Sequence, residues 1–232
     1  MTKKAMLVII LILGCAPLTV GGSATDIDLA LAAVGPGTID EIKGRLFINS
    51  INVFSDEYRG RARAELPGTI RSHRIIRGRL FQKVEHAFGL ALNLHGRAGQ
   101  VEIFFFRDDE PLALLWRDCV LAISDGLAEL LSGEELAGII SHELRHSYFM
   151  DEIVAAQKYR DARAMRVVEL KCDAVALLSL KLLGYNPTLY LRGLKQADTI
   201  TRRKGLSSST RKSHPDTVTR AQFARRFIKL WS

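Results

Sequence analysis

The sequence predicts an α+β fold, mostly helical, with a small β-sheet beside a helix that carries two histidines. Residues 101–106, 112–116 and 119–124 form three short runs rich in β-branched and aromatic side chains, the composition of strands. From residue 132 almost to the C-terminus, apolar residues recur at helical spacing instead. The same spacing over residues 69–94 predicts an amphipathic helix that covers the sheet.

Taken in order, residues 26–58 mix short apolar pieces with the turn signal Gly35-Pro36-Gly37 and read as an irregular lead-in. Within 69–94, Ile76, Leu80, Val84, Ala87, Phe88 and Ala91 form the buried stripe, with Arg and Lys outside. The first strand ends at a turn over 107–111. Ser132 is an N-cap, and Glu135 three residues later completes a capping box. Leu136, Ile139, Ile140, Leu144 and Phe149 then carry one helix through both histidines. A second long helix spans 162–183 and stops at Gly184-Tyr185-Asn186-Pro187. A third helix covers 188–201, residues 204–215 form a loop rich in Ser, Thr and charge, and 216–231 form a terminal amphipathic helix.

The 232 residues suit one domain, 25–232, behind a targeting segment, 1–24. An apolar fraction of 47% and a charged fraction of 25% belong to a chain that folds around a core. Lys3 and Lys4 precede an apolar run over 5–20, the form of a signal segment. Three readings of it stand: lipidation at Cys15, which follows Leu13-Gly14 as in a bacterial lipoprotein signal; cleavage after Ala24; or an uncleaved membrane anchor. All three place the body outside the cytoplasm. Of the other cysteines, Cys119 and Cys172, the sequence leaves open whether they pair or stay buried. The net charge of +8 resides in the C-terminal part, where eleven Lys and Arg between Arg192 and Lys229 face Asp198 and Asp216. Such a patch could lie against anionic phospholipid headgroups or nucleic acid, but with no aromatic interleaving and no nucleic-acid module it reads as a solvated helix face next to a membrane anchor.

The chemistry centres on His142-Glu143-Leu144-Arg145-His146. Residues four apart on an α-helix lie one turn above each other, so His142 and His146 can present two imidazoles to one metal ion. Glu143, about 100° round the helix from His142, can act as general base toward water polarised by that ion. A catalytic zinc site takes a third protein ligand and leaves a fourth position open. Glu169 on the next helix is the best candidate for the third ligand, with Asp173 on the same face to orient a ligand histidine. Without the histidine motif, Glu169 and Asp173 would read as a solvated acidic face. His73, His86 and His95 read as surface or packing residues, Cys172 as a small buried hydrophobe, and Trp116 with Phe104, Phe105 and Phe106 as core.

Together with Gly184-Tyr185-Asn186-Pro187 and Ser213-His214-Pro215-Asp216-Thr217-Val218-Thr219-Arg220, these motifs resemble, over roughly 101–227, the zinc peptidases related to the CaaX prenyl protease and HtpX. The resemblance is strongest to their small periplasmic lipoprotein members. It implies a zincin-like (gluzincin) fold, with zinc held by His142, His146 and Glu169, Asp173 supporting the site, and His214 and Arg220 close to the reacting atoms as catalytic residues. The chain departs from that pattern at Arg145, where glycine is usual, at Cys172, where alanine is usual, and over 112–117, which lacks the usual strand signature. The segment between His146 and Glu169 is also short, which reduces any lid inserted there.

The expected function is therefore a zinc-dependent endopeptidase of the bacterial cell envelope, on its periplasmic side, acting on unfolded or misassembled polypeptides held along the edge strand of the sheet. Its expected partners are those polypeptides and, through the N-terminal anchor, the membrane surface. The alternative is a zinc-stabilised envelope chaperone or assembly factor that keeps the fold but cuts nothing. A basic nucleic-acid-binding protein is a third reading, disfavoured by the leader.

Overall fold

The computed structural model describes residues 23–47, 53–204 and 214–231. Residues 1–22 of the leader, Cys15 among them, lie outside the described residues, as does most of the 204–215 loop, while Ser23 and Ala24 open the first helix.

The three strands form where the sequence places them: β1 (Glu102–Phe106), β2 (Ala113–Trp116) and β3 (Val120–Ser124). Their order is β1-β3-β2, with β3 parallel to β1 and antiparallel to β2, so β2 is an edge. Arg117, Asp118 and Cys119 link the paired Trp116 and Val120; Arg117 and Asp118 take positive φ (47° and 58°), and the Cys119 N–H bonds to the Trp116 carbonyl (3.2 Å). Strand alternation divides the sheet between two apolar layers. Phe104, Phe106, Leu114, Trp116, Val120 and Ala122 pack on Ala62, Leu66 and Ile70, from and around the helices α3 (Asp56–Ala64) and α4 (Gly68–Arg71). Phe105, Ala113, Leu115, Leu121 and Ile123 face the main helical core.

That core is built on α7 (Gly133–Arg145) and α9 (Ala162–Leu182), with α5 (Arg79–Leu94), α10 (Thr188–Arg203) and α11 (Thr217–Ile228) around them. The Ser132 capping box closes in both directions, Glu135 N–H to Ser132 Oγ (3.2 Å) and Ser132 N–H to Glu135 Oε2 (2.7 Å). Glu135 also accepts from Arg192 and Gln196, which ties the start of α7 to α10. Asp161 caps α9 through the amides of Arg163 and Ala164. At its other end Gly184 (φ 81°) closes α9, with Tyr185 N–H bonded to the Leu180 carbonyl (2.8 Å) and Gly184 N–H to that of Lys181 (3.1 Å). From Val168 to Leu180 every α9 residue is buried, so α9 is covered all round. Gly138 permits this crowding: a Cβ there would lie 3.1 Å from Leu180 Cδ1 and 3.3 Å from Tyr190 Cβ.

Several expectations need correction. The lead-in is helical, containing α1 (Ser23–Val34), α2 (Ile39–Leu46) and α3. The Gly35-Pro36-Gly37 turn separates α1 from α2, and Thr38 forms a capping box with Glu41 that starts α2. Asp26 holds α1 to α9 by accepting from Arg163 (3.2 Å) and Arg166 (2.7 Å). The helix expected over 69–94 is two, because Gly78 (φ 114°) interrupts it, and Ile76 is exposed rather than in the stripe. α7 ends at Arg145, and His146 opens a 3-10 turn that runs to Phe149 and leads into α8 (Met150–Lys158), so the segment between the motifs carries its own helix. Cys119 and Cys172 are both buried and free. The basic C-terminal part is not wholly a solvated face, since Arg220 is buried. Among the described residues no helix is long and apolar enough to cross a membrane.

Gly126, in α6 (Asp125–Leu130), meets the turn after β1: a Cβ there would come within 2.7 Å of the backbone of Asp108 and Asp109. Gly126→Ala is expected to lower stability by about 1–3 kcal/mol, the usual range for forced overpacking. Urea unfolding measures it, and an unchanged midpoint would show that the turn yields freely.

Candidate metal centre

α7 presents His142 and Glu143, and the first residue of the 3-10 turn presents His146, with their rings or carboxylate buried. The imidazole centroids of His142 and His146 lie 5.1 Å apart, edge to face. One ligating atom from each of His142, Glu143 and His146 falls within 4.8 Å of the others, a group able to hold a metal ion. α9 adds the buried Glu169, whose Oε2 is 3.4 Å from His142 Nε2 and whose Oε1 is 3.8 Å from His146 Nε2. The test of fit lies in the unsatisfied atoms. Nε2 of His142, Nε2 of His146, Oε1 of Glu143 and Oε1 of Glu169 are all buried and form no hydrogen bond. Buried polar atoms are rarely left so, and two nitrogens with two carboxylate oxygens are a donor set suited to a divalent cation such as zinc.

The other ends of these side chains are held. His142 Nδ1 lies 2.8 Å from the Tyr190 hydroxyl and 3.0 Å from Asp173 Oδ1, and Tyr190 itself donates to Asp173 (2.5 Å). Nδ1 thus faces Tyr190 and Asp173, while Nε2 is turned toward Glu169 and becomes a ligand once it gives up its proton. Arg220 Nη2 donates to Glu169 Oε2 (2.9 Å), while its Nη1 lies 3.3 Å from both Asp173 Oδ1 and the Tyr190 hydroxyl. One guanidinium therefore braces both α9 carboxylates. His214 Nε2 stands 3.3 Å from Glu169 Oε1, and its side chain, 14% exposed, is the member of this cluster nearest solvent. Glu143 Oε2 accepts from the backbone N–H of Leu115 on β2 (3.3 Å), tying the candidate base to the sheet edge. His146 Nδ1 has Cys172 Sγ at 3.8 Å. Glu169, Cys172 and Asp173 thus reach the site from one face of one helix.

All six residues predicted at the centre, together with Arg220, are brought together. The solvated acidic face does not exist, because Glu169 and Asp173 are fully buried. Sequence reasoning missed Tyr190 and the Leu115 amide. Gly138, one turn before His142 on α7, was the available signal for Tyr190, since a glycine inside a helix marks a close approach. A backbone amide leaves no signal in residue identity.

In the metal-free protein, burial pulls the His142 pKa down, but Asp173 and Glu169 beside it outweigh this and carry it up to about 9. Burial holds His146 down at about 3 and pushes Glu143 up to about 8. Burial raises Glu169 too, yet the positive field of His214, His146 and His142 leaves it well below the usual carboxylate range. A divalent cation here replaces the protons on His142 Nε2 and Glu143, so its affinity should rise with pH. The chain matches no known family model and no curated protein at a significant level.

Glu143 has a folded pKa above its unfolded one, so the stability it contributes is full below about pH 4.5 and is lost as pH rises through about 8. Glu143→Gln carries no such loss. In chelated protein the melting temperature of Glu143→Gln, relative to wild type, should climb between pH 5 and 9, and parallel curves would disprove the raised pKa.

His146 Nε2 is available to a metal only if Nδ1 carries the proton, which needs an acceptor, and Cys172 Sγ fills that place. Cys172→Ala should weaken metal binding by about 10–100-fold, as should Asp173→Ala, while Cys172→Ser retains an acceptor and most of the affinity. Chelator competition reads this, and equal affinities for Cys172→Ala and Cys172→Ser would remove the thiol from the site.

Proposed function

We propose that the chain is a zinc-dependent endopeptidase of zincin-like fold, in the gluzincin manner, acting on unfolded or misassembled polypeptides of the bacterial cell envelope. The observation that carries this reading is the convergence of unsatisfied Nε2 and carboxylate atoms from His142, His146, Glu143 and Glu169 in one buried pocket. A zinc ion bound there supplies Lewis acidity that makes water nucleophilic near neutral pH and polarises a peptide carbonyl.

The protein's own residues divide the remaining work. His142, His146 and Glu169 hold the ion. Asp173 and Tyr190 fix the His142 tautomer, and Arg220 keeps Glu169 and Asp173 from repelling each other across one helical turn. Glu143 takes the proton of the attacking water and delivers it to the amide nitrogen as the peptide bond breaks. Its two oxygens suit the role, since one is held by the Leu115 N–H and the other is unencumbered. The β2 edge beside Glu143 is the proposed path for an extended substrate. His214, at the mouth, moves from Glu169 to admit substrate, where it serves either as a plug withdrawn or as a donor to the developing oxyanion. Envelope location and the anchoring through 1–24 rest on the form of the leader, and no role in nucleic-acid binding is proposed.

One observation favours the second reading, a non-proteolytic zinc-stabilised chaperone or assembly factor: His142, Glu143 and Glu169 have no solvent exposure, so the pocket as it stands is closed to a polypeptide. Glu143→Gln separates the two. It should keep one zinc per chain, yet cleave a casein-like substrate more slowly by several orders of magnitude, while chelation abolishes wild-type cleavage and zinc restores it. Zinc-loaded wild type that cuts no unfolded protein, with Glu143→Gln still complementing a deletion strain, would establish the chaperone reading.

A further inference from the structure

Arg145 lies between the two histidines of the motif. It is 0% exposed, and its Nε, Nη1 and Nη2 form no hydrogen bond. Its guanidinium lies 3.8 Å from the ring centroid of Tyr148, 4.9 Å from that of Phe47 and 5.6 Å from that of Phe149. A second buried guanidinium, Arg97, 1% exposed, lies 5.9 Å from the same Tyr148 ring. Arg97 donates to the carbonyls of Leu144 (3.3 Å) and Asp118 (2.9 Å) and to Ser147 Oγ (2.5 Å), and its Nε has no partner. Asp118 bonds Arg97 through its backbone oxygen, and its carboxylate acts on Arg97 only through its field, forming no ion pair with it. The neighbouring Lys171 is already paired with Glu152. His95 completes the cluster, stacked on Phe47 at 4.7 Å with an unpartnered Nδ1 and with Nε2 3.2 Å from Ser179 Oγ. Among the described residues neither Arg97 nor Arg145 forms an ion pair.

These facts leave a charge imbalance. An aromatic face attracts a cation, but only modestly. Taking one guanidinium from water costs more than a ring returns, and here two guanidiniums that repel each other share one apolar cluster. Rings offset part of this but supply no acceptor for the N–H groups of Arg145. A negative charge would satisfy both deficits.

We propose that the Arg97–Arg145 cluster is a binding site for a small monovalent anion of chloride's size. The class follows from the surroundings. Donors are present without acceptors, which selects an anion. The 0–1% exposure of both arginines favours a compact ion over a larger polar molecule. Arg145 precedes His146, and Arg97 grips the Leu144 carbonyl at the last turn of α7. The anion therefore fixes the point where α7 passes into the 3-10 turn and, through it, the position of His146. None of this depends on the peptidase reading.

The test uses the full chain, stripped of metal, in sodium chloride exchanged stepwise for sodium gluconate at constant ionic strength. The melting temperature should rise saturably with chloride by several degrees, and bromide should substitute. Arg145→Met, which keeps bulk but removes every donor, should lose this response. Equal melting in chloride and gluconate, or a response that survives in Arg145→Met, would overturn the proposal. If Arg145→Met does not fold, bromide-soaked wild-type crystals decide: an anomalous peak within hydrogen-bond distance of Arg145 supports the site, and its absence at saturating bromide overturns it.

Discussion

Two carboxylates one turn apart, Glu169 and Asp173, are buried on a helix with no solvent around them, and the helical half is arranged to neutralise them. Unpaired, they would cost several kcal/mol each. Arg220 reaches both from α11, His142 lies against both from α7, and His214 adds its field from the loop before α11. Three separate elements must therefore converge on α9 before its buried face becomes tolerable. Docking of α11 is a consequence: its buried Phe223 and Phe227 seat it on the core, while Arg220 makes the charged contact.

The same constraint explains the tightness of packing around α7. For Tyr190 to touch both His142 and Asp173, α10 has to lie almost on the backbone of α7, and Gly138 is the residue that lets it. The sheet contributes one amide to the site, since β2 gives its Leu115 N–H to Glu143. The expected use of the β2 edge acquires a physical detail from this. An incoming peptide would pair with a strand whose amide at Leu115 is already committed to the base, so substrate alignment and base orientation share one strand.

The elements legible in the sequence are those whose cause is local. Ser132 with Glu135, Gly184 after α9 and the β-branched strands each announce their structure within a few residues, and each is found there. The motif residues were legible because metal ligation imposes a spacing. What escaped depends on distant partners. α1 is held by Asp26 against two arginines some 140 residues away, and nothing within its own stretch reports that. The break after Arg145 likewise follows from packing of Tyr148 and Phe149 around a guanidinium rather than from any helix-stopping residue. Cys172 was read as a small hydrophobe, which its burial agrees with, but its contact to His146 Nδ1 is visible only once α9 is laid against α7.

The charge balance of the pocket links its burial to its chemistry. In the metal-free state the α9 carboxylates face Arg220 and a His142 whose pKa, near 9, keeps it protonated at neutral pH, while Glu143, near 8, stays largely neutral. The pocket is thereby close to electroneutral without a metal, which lets it remain folded and shut. Adding a dication upsets that balance unless protons leave, and the protons available are those on His142 Nε2 and Glu143. Loading a metal would therefore convert Glu143 from an acid into the carboxylate that a general base must be. Burial makes this exchange possible, because a solvated Glu143 would already be ionised and would gain nothing from the metal. It also obliges the site to open before a polypeptide can enter, and the mouth residue His214 contacts the Oε1 of Glu169 that otherwise forms no hydrogen bond. On the proposed reading, a cation drawing on that oxygen would compete with His214 for the same carboxylate.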